Sequence, residues 1–253
     1  MKKQILVANW KNHPDSLVQA NKIINGLRKK SAEFKKISTF IAPPLTYFES
    51  VSNKTSSFSN LASQDIFVGK GTTTGSVGVD ILKSFGVRLS IIGHSERRAL
   101  GETDEMVAEK IKTALKENII PLLCIGEKER DAEGNYLEFI RHELRASLSG
   151  VKKKEVVNKL VVAYEPIWAI GSKAKGAVLP EDLTQMVLYI KKILTDIYDR
   201  KTADTIPILY GGSTDAKNAS TLAQTGVNGF LVGRASLDPK SFAEIASALI
   251  HNS

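Results

Sequence analysis

Short apolar runs rich in β-branched residues recur along the chain: QILVAN from Gln4, TFIAPP from Thr39, LASQDI from Leu61, LSIIGH from Leu89, IIPLLCIGE from Ile119, LVVAYEP from Leu160, IPILYGG from Ile206 and GFLVGRA from Gly229. Most are nearly continuous instead of alternating, the pattern of parallel strands covered on both faces. Between them the apolar positions change to helical spacing, as in Leu17, Ala20, Ile23, Ile24 and Leu27, or Val107, Ile111, Ala114 and Leu115. A longer stripe runs through Met186, Tyr189, Ile190, Ile193, Leu194 and Ile197, and a last helix is announced by Asp238 as N-cap with Pro239 at its first position. Strand and helix alternating to a count of eight predict an α/β chain folded as a (β/α)8 barrel. An open doubly wound sheet is the alternative, because alternation alone does not show closure. No linker, low-complexity tract or composition break interrupts the pattern, so residues 1–253 read as one domain.

The ends of the runs carry the unusual residues: Asn9 and Lys11, Gln64 and Asp65, His94 and Glu96, Cys124 and Glu127, Glu165, then GGS and GRAS. In barrel enzymes the C-terminal strand ends hold the chemistry. A purely structural domain has little reason to gather polar and ionisable groups there.

Composition changes this picture little. The chain has 253 residues, 42% hydrophobic and 25% charged, which is ordinary for a globular protein. Its net charge of +8 is spread along the sequence, densest at Lys152–Lys154 and not interleaved with aromatics, so no nucleic-acid groove is predicted. A small anionic substrate would benefit from the same field. Cys124 is the only cysteine, which excludes an intrachain disulfide. No run approaches a membrane span or a signal h-region, and the expectation is a soluble cytoplasmic protein.

Four groups of residues suggest chemistry. His94, in IIGHSERR, follows a strand-closing Gly93 and precedes a helix with Ser95 as its expected N-cap. The positive end of that helix disfavours imidazolium and leaves a neutral hydrogen-bond donor. Metal ligation fits poorly, since no second histidine lies at ligand spacing and Cys124 has no CxxC partner. Lys11, just past the first strand, suits a negative substrate or an oxyanion. Taken singly, a core histidine and a surface lysine are the plainer readings. The turns YGGS (Gly211, Gly212, Ser213) and VGRAS (Gly233, Arg234, Ala235) follow strands seven and eight, where barrels often bind phosphate through backbone N–H groups. GKGTTTG from Gly69 has neither Walker A nor dinucleotide spacing. Glu165 completes the set: a carboxylate beside a neutral imidazole, an ammonium and a phosphate cradle makes a site for removing a carbon-bound proton. A paired-carboxylate glycosidase fits less well. A phosphosugar lyase would want a Schiff-base lysine inside a strand, and a non-catalytic barrel would not keep Asn9, Lys11, His94 and Glu165 together.

The motifs NWK (9–11), IIGHSERR (91–98), LCIGE (123–127), AYEPIWAIG (163–171), ILYGGS (208–213) and VGRASL (232–237) resemble, in order and over essentially the whole chain, those of the triosephosphate isomerase family. The resemblance implies a TIM barrel that interconverts dihydroxyacetone phosphate and glyceraldehyde 3-phosphate without a cofactor or metal, in glycolysis and gluconeogenesis. It implies Glu165 as general base and His94 as neutral electrophile. Lys11 would be the electrostatic anchor, Asn9 a hydrogen bond to the reacting end, and Glu96 a supporting carboxylate. Gly171, Ser213, Gly233 and Arg234 would offer backbone N–H groups to the phosphate, and a mobile lid would begin at Pro166. It also implies a homodimer whose third loop, around Thr74, reaches into the partner.

Several positions depart from the family pattern. Asn12-His13 stand where Met-Asn is usual, and Gln64-Asp65 replace Gln-Asn. Ser76 replaces an acidic residue that normally pairs with an arginine of HSERR, and Asp65 is expected to take over that pairing. Lys191 and Asn228 replace an Arg and an Asp together. Arg234 replaces a glycine, so backbone strain is expected there. SKAKGAVLPED after Gly171 reads as about two residues longer than the usual lid continuation, which predicts an altered hinge over 172–180 with unchanged proton chemistry.

Overall fold

The eight apolar runs form eight parallel strands that close on themselves in sequence order. The computed structural model describes residues 4–69, 73–169 and 178–252. The strands are β1 (Ile5–Asn9), β2 (Ser38–Ala42), β3 (Asn60–Ser63), β4 (Leu89–Ile92), β5 (Ile120–Ile125), β6 (Val161–Tyr164), β7 (Ile208–Tyr210) and β8 (Gly229–Val232). The barrel, and not the open sheet, is the fold: β1 pairs with β8 through Ile5 opposite Gly229 and Val7 opposite Leu231.

Near-continuous apolarity follows from two buried faces. Ile5 and Val7 point into the barrel with Phe40, Leu89, Ile91, Leu122 and Leu209, while Leu6 and Ala8 pack outward against the helices. Those helices are α1 (Leu17–Lys29), α2 (Ser31–Phe34), α3 (Phe48–Thr55), α4 (Val79–Ser84), α5 (Ser95–Ala99), α6 (Asp104–Lys116), α7 (Asn135–Ser147), α8 (Lys153–Val156), α9 (Pro180–Ile197), α10 (Arg200–Ala203), α11 (Ala219–Ala223) and α12 (Pro239–His251). The predicted stripes face inward: Val107, Ile111, Ala114 and Leu115 on α6, and Met186, Ile190, Ile193 and Leu194 on α9, are buried. Asp238 caps α12 by accepting the N–H groups of Lys240 and Ser241 at 2.8 and 3.1 Å, with Pro239 at the first turn. Such a cap contributes about 1 kcal/mol.

Leu17 departs from the expected stripe. It opens α1 and is 49% exposed, next to Val18 at 79%. The helix turns its apolar face inward only from Ala20, where it meets the barrel. Among the described residues, no helix is long and apolar enough to cross a membrane.

Candidate active site

The mouth of the barrel is built by what terminates each strand. At the end of β1, buried Asn9 accepts the Lys11 N–H on Oδ1 at 3.0 Å. Lys11 has a φ of 52°, in the left-handed region that a side-chain-bearing residue enters only when its surroundings demand it. The demand comes from Gln64, just past β3, whose amide donates to the Lys11 carbonyl at 2.7 Å and to that of Ala42 at 2.9 Å. So held, Lys11 sends Nζ to Oε1 of Glu96 at 2.6 Å.

After β4, Gly93 takes a φ of 71°, a turn open to glycine, and delivers His94 to the mouth. His94, not Ser95 as expected, is the N-cap of α5, because its own Nδ1 accepts the Glu96 N–H at 3.2 Å. A ring nitrogen that accepts a main-chain N–H carries no proton, so the hydrogen of a neutral imidazole sits on Nε2. That nitrogen lies 3.2 Å from Oε1 of Glu165.

Glu165 follows β6 and is 2% exposed. Its N–H donates to the Ile125 carbonyl at 2.8 Å, and Oε2 accepts the Ser95 N–H at 3.1 Å. Each carboxylate oxygen thus has a donor, which is what allows a buried charge to persist. Cys124 lies beneath it: burial first, then the Glu165 carboxylate, push the thiol well above its ordinary value, so it stays neutral. Gly126 is a required glycine of another kind, since a Cβ there would lie 1.7 Å from the Glu165 carbonyl oxygen.

The later strand ends close the ring. A Cβ on Gly211 would come within 2.8 Å of Cγ of Glu165, and one on Gly233 within 3.7 Å of Cε of Lys11. These two turns therefore flank the carboxylate and the ammonium. Ser213 Oγ donates to the Ala169 carbonyl at 3.0 Å, tying the turn after Glu165 to the loop after β7. Arg234 opens a 3-10 turn, Arg234–Leu237, and is not among the residues of positive φ. The strain expected there is absent, because that turn uses ordinary right-handed backbone. Gly171 and the altered lid continuation up to residue 177 lie outside the described residues.

Four supporting clusters were only partly foreseen. Glu127, noted as a strand end without a role, accepts on Oε1 from Tyr164 Oη (2.7 Å), Trp168 Nε1 (2.8 Å) and Arg130 Nε (3.0 Å). The Arg130 guanidinium also lies 5.2 Å over the Trp168 ring and reaches Asp182 at 3.4 Å. Burial, then Glu127, holds the Tyr164 hydroxyl far above its usual range, so it remains a donor. Below the mouth, Arg98 Nε donates to the Gly93 carbonyl at 2.8 Å, and Oε2 of Glu143 accepts the Gly126 N–H at the same distance. Arg98 and Glu143 meet at 3.3 Å, so one ion pair anchors both glycine turns. Asp65 pairs with Arg97 at 3.0 Å, as expected from the loss of an acid at Ser76, and with buried Lys110 at 2.5 Å. Lys191 donates to the Ala203 carbonyl at 2.6 Å and to that of Ile206, and Asn228 Oδ1 accepts the Ile208 N–H at 2.9 Å. Both altered positions thus serve the segment that leads into β7. Among the described residues, no histidine, cysteine and carboxylate group is placed to hold a metal ion.

A closed (β/α)8 barrel with a carboxylate, an imidazole and an ammonium gathered at its C-terminal mouth is a barrel enzyme. The family model described as triosephosphate isomerase matches residues 4–249. Curated proteins named triosephosphate isomerase include one from Dictyoglomus turgidum, 37% identical over 97% of this chain and 99% of the relative. Those from Dictyoglomus thermophilum and a Thermoanaerobacter species are 38% and 36% identical, each over 98% of this chain and all of the relative. The chain belongs to the triosephosphate isomerase family.

Proposed function

We propose that this chain interconverts dihydroxyacetone phosphate and D-glyceraldehyde 3-phosphate by cofactor-free proton transfer through an enediolate, in glycolysis and gluconeogenesis. Glu165 takes the proton from the carbon beside the carbonyl, and the electron pair moves onto the carbonyl oxygen. His94 Nε2–H and Lys11 stabilise that oxygen, and His94 passes a proton between the two substrate oxygens. The proton on Glu165 then returns to the neighbouring carbon, which converts ketose to aldose or the reverse. Asn9 supports the reacting end and Glu96 orients Lys11. Backbone N–H groups of Gly171, Ser213, Gly233 and Arg234 take the phosphate.

The observation that carries this reading is the Glu165–His94 pair, 3.2 Å apart, with the other imidazole nitrogen occupied by the Glu96 N–H. That arrangement supports reading Glu165 as base and His94 as neutral acid on one face of the substrate. The test is isomerisation of glyceraldehyde 3-phosphate coupled to a dehydrogenase. Glu165→Gln keeps the shape but cannot accept a proton, and is expected to lower kcat by roughly 10²-fold or more. Turnover that survives it would remove Glu165 from the role of base.

The chain is further proposed to act as one domain over residues 1–253, in the cytoplasm, as a homodimer through the loop around Thr74. Supporting the dimer, Leu17, Val18, Leu45 and Ile81 are exposed. They lie in the segments that follow the adjacent strands β1, β2 and β3. Thr74 is exposed in the loop between β3 and α4, where Phe67 N–H donates to the Val77 carbonyl at 3.1 Å. Sedimentation at micromolar concentration tests this, with a monomer as the contrary result.

A further inference from the structure

Resting on the isomerase reading, we propose that Arg234 is a specificity-determining residue whose guanidinium gives the phosphate subsite its own side-chain charge. The turn that carries it is seated at the mouth. Gly233 packs toward Lys11, where a Cβ would lie 3.7 Å from Cε. Ser236 clamps the turn by donating its N–H and its hydroxyl to the Gly233 carbonyl, at 2.9 and 2.6 Å. A glycine in place of Arg234 could offer a phosphate one N–H. The arginine keeps that N–H and adds a planar fork of donors with a fixed positive charge.

The charges around it explain why the addition matters. Lys11, the neighbouring cation, is already paired with Glu96 at 2.6 Å. Arg130 is committed to Glu127 and Asp182. The nearest acidic residue in sequence, Asp238, accepts two main-chain N–H groups at the start of α12. Arg234 is exposed and has no ion pair among the described residues. A phosphate monoester brings close to two negative charges at neutral pH. The mouth already holds the carboxylates of Glu165 and Glu96, so a cation without an ion pair, on the turn whose Gly233 faces Lys11, is where that charge is best met. The right-handed backbone of the 3-10 turn lets the arginine occupy this position without strain.

The role separates cleanly from proton transfer, since Arg234 acts on the phosphate and not on the reacting carbons. The test compares the wild-type chain with Arg234→Gln and Arg234→Lys. Arg234→Gln is expected to raise KM for glyceraldehyde 3-phosphate and the inhibition constant of inorganic phosphate by about tenfold each. Arg234→Lys is expected to recover most of the loss, and the gap between wild type and Arg234→Gln to narrow in high salt. On unphosphorylated glyceraldehyde, which lacks the group Arg234 meets, the loss of kcat/KM in Arg234→Gln is expected to be several-fold smaller than on the phosphorylated substrate. Equal KM and equal phosphate inhibition in wild type and Arg234→Gln would overturn the proposal, as would an equal loss on unphosphorylated glyceraldehyde. If wild type shows no isomerisation, the isomerase reading falls. Calorimetric binding of inorganic phosphate to the two proteins then decides Arg234 separately, with equal affinities counting against it.

Discussion

Gln64 holds Lys11 by its backbone: one side-chain amide donates to the Lys11 carbonyl at 2.7 Å and to the Ala42 carbonyl at 2.9 Å. Together with the Asn9 bond to the Lys11 N–H, that grip supports the left-handed φ of 52° at Lys11. Gln64→Glu replaces the donor with an acceptor and leaves both carbonyls facing a charge. It is expected to lower kcat/KM by about tenfold to a hundredfold through misplacement of the Lys11 ammonium. Steady-state kinetics check this, and a Gln64→Glu protein with wild-type kcat/KM would show that Lys11 holds its shape unaided.

Glu143 makes stability depend on pH. Burial first raises its carboxyl from an ordinary 4.5 to about 7, against the opposing pull of Arg98. Between those values the native state keeps a proton that the unfolded chain has released. Stability is therefore expected to fall as pH rises from about 4.5 through about 7 and then to level off, by roughly 3 kcal/mol from this group. Urea unfolding across that range checks the slope. Glu143→Gln, which cannot titrate, is expected to lack this component.

Arg130 neutralises a buried carboxylate. Glu127 is 1% exposed, and its Oε2 has no hydrogen-bond partner among the described residues. Arg130→Met keeps the aliphatic bulk beside Trp168 but leaves that charge unpaired. It is expected to destabilise by about 3 kcal/mol and lower Tm by several degrees. Arg130→Met together with Glu127→Gln is expected to recover part of the loss, a coupling that a double-mutant cycle in urea measures.

Asp65 shares its carboxylate between Lys110, which is 5% exposed, and Arg97. Asp65→Asn leaves Lys110 with Glu102 alone and Arg97 without its partner in this chain. Arg97 is 46% exposed at its side chain, so solvent screens that half of the loss. About 1 kcal/mol of stability is expected to go, mostly through Lys110, and the dimer proposed above is expected to weaken. Thermal melts and dilution series read the two effects apart.

The barrel was legible because the physical cause of strands and helices is local. An apolar run broken by Asn9, His94 or Glu165 announces both a strand and the place where it opens to chemistry. The side chains that the mouth brings together, Asn9, Lys11, His94 and Glu165, were legible for the same reason. Sequence reasoning could not reach contacts made across the barrel. Gln64 meets Lys11 from 53 residues away, and nothing in the SQDI run signals a grip on another strand's carbonyl. Arg130 sits in EKERDAEG, which reads as any solvated charged loop until the fold lays it over Trp168. His94 as its own helix cap was missed because Ser95 is the better capping residue by type, while the geometry after Gly93 favours the ring. The expectation of strain at Arg234 failed because a glycine's absence shows only that another residue is tolerated, not which backbone it adopts.

The ion pair between Arg98 and Glu143 carries a consequence for how such a site can change. Arg98 grips the turn that presents His94, and Glu143 grips the turn on which Glu165 rests. The gap between His94 and Glu165 is thus dimensioned from the layer beneath, like the spacing of two posts bolted to one beam. A substitution on the inner face of α7, far from any substrate atom, would be transmitted upward as a change in distance. Drift on that helix is constrained by the arithmetic of the mouth, and a designer who wished to retune the pair without touching either member would begin there.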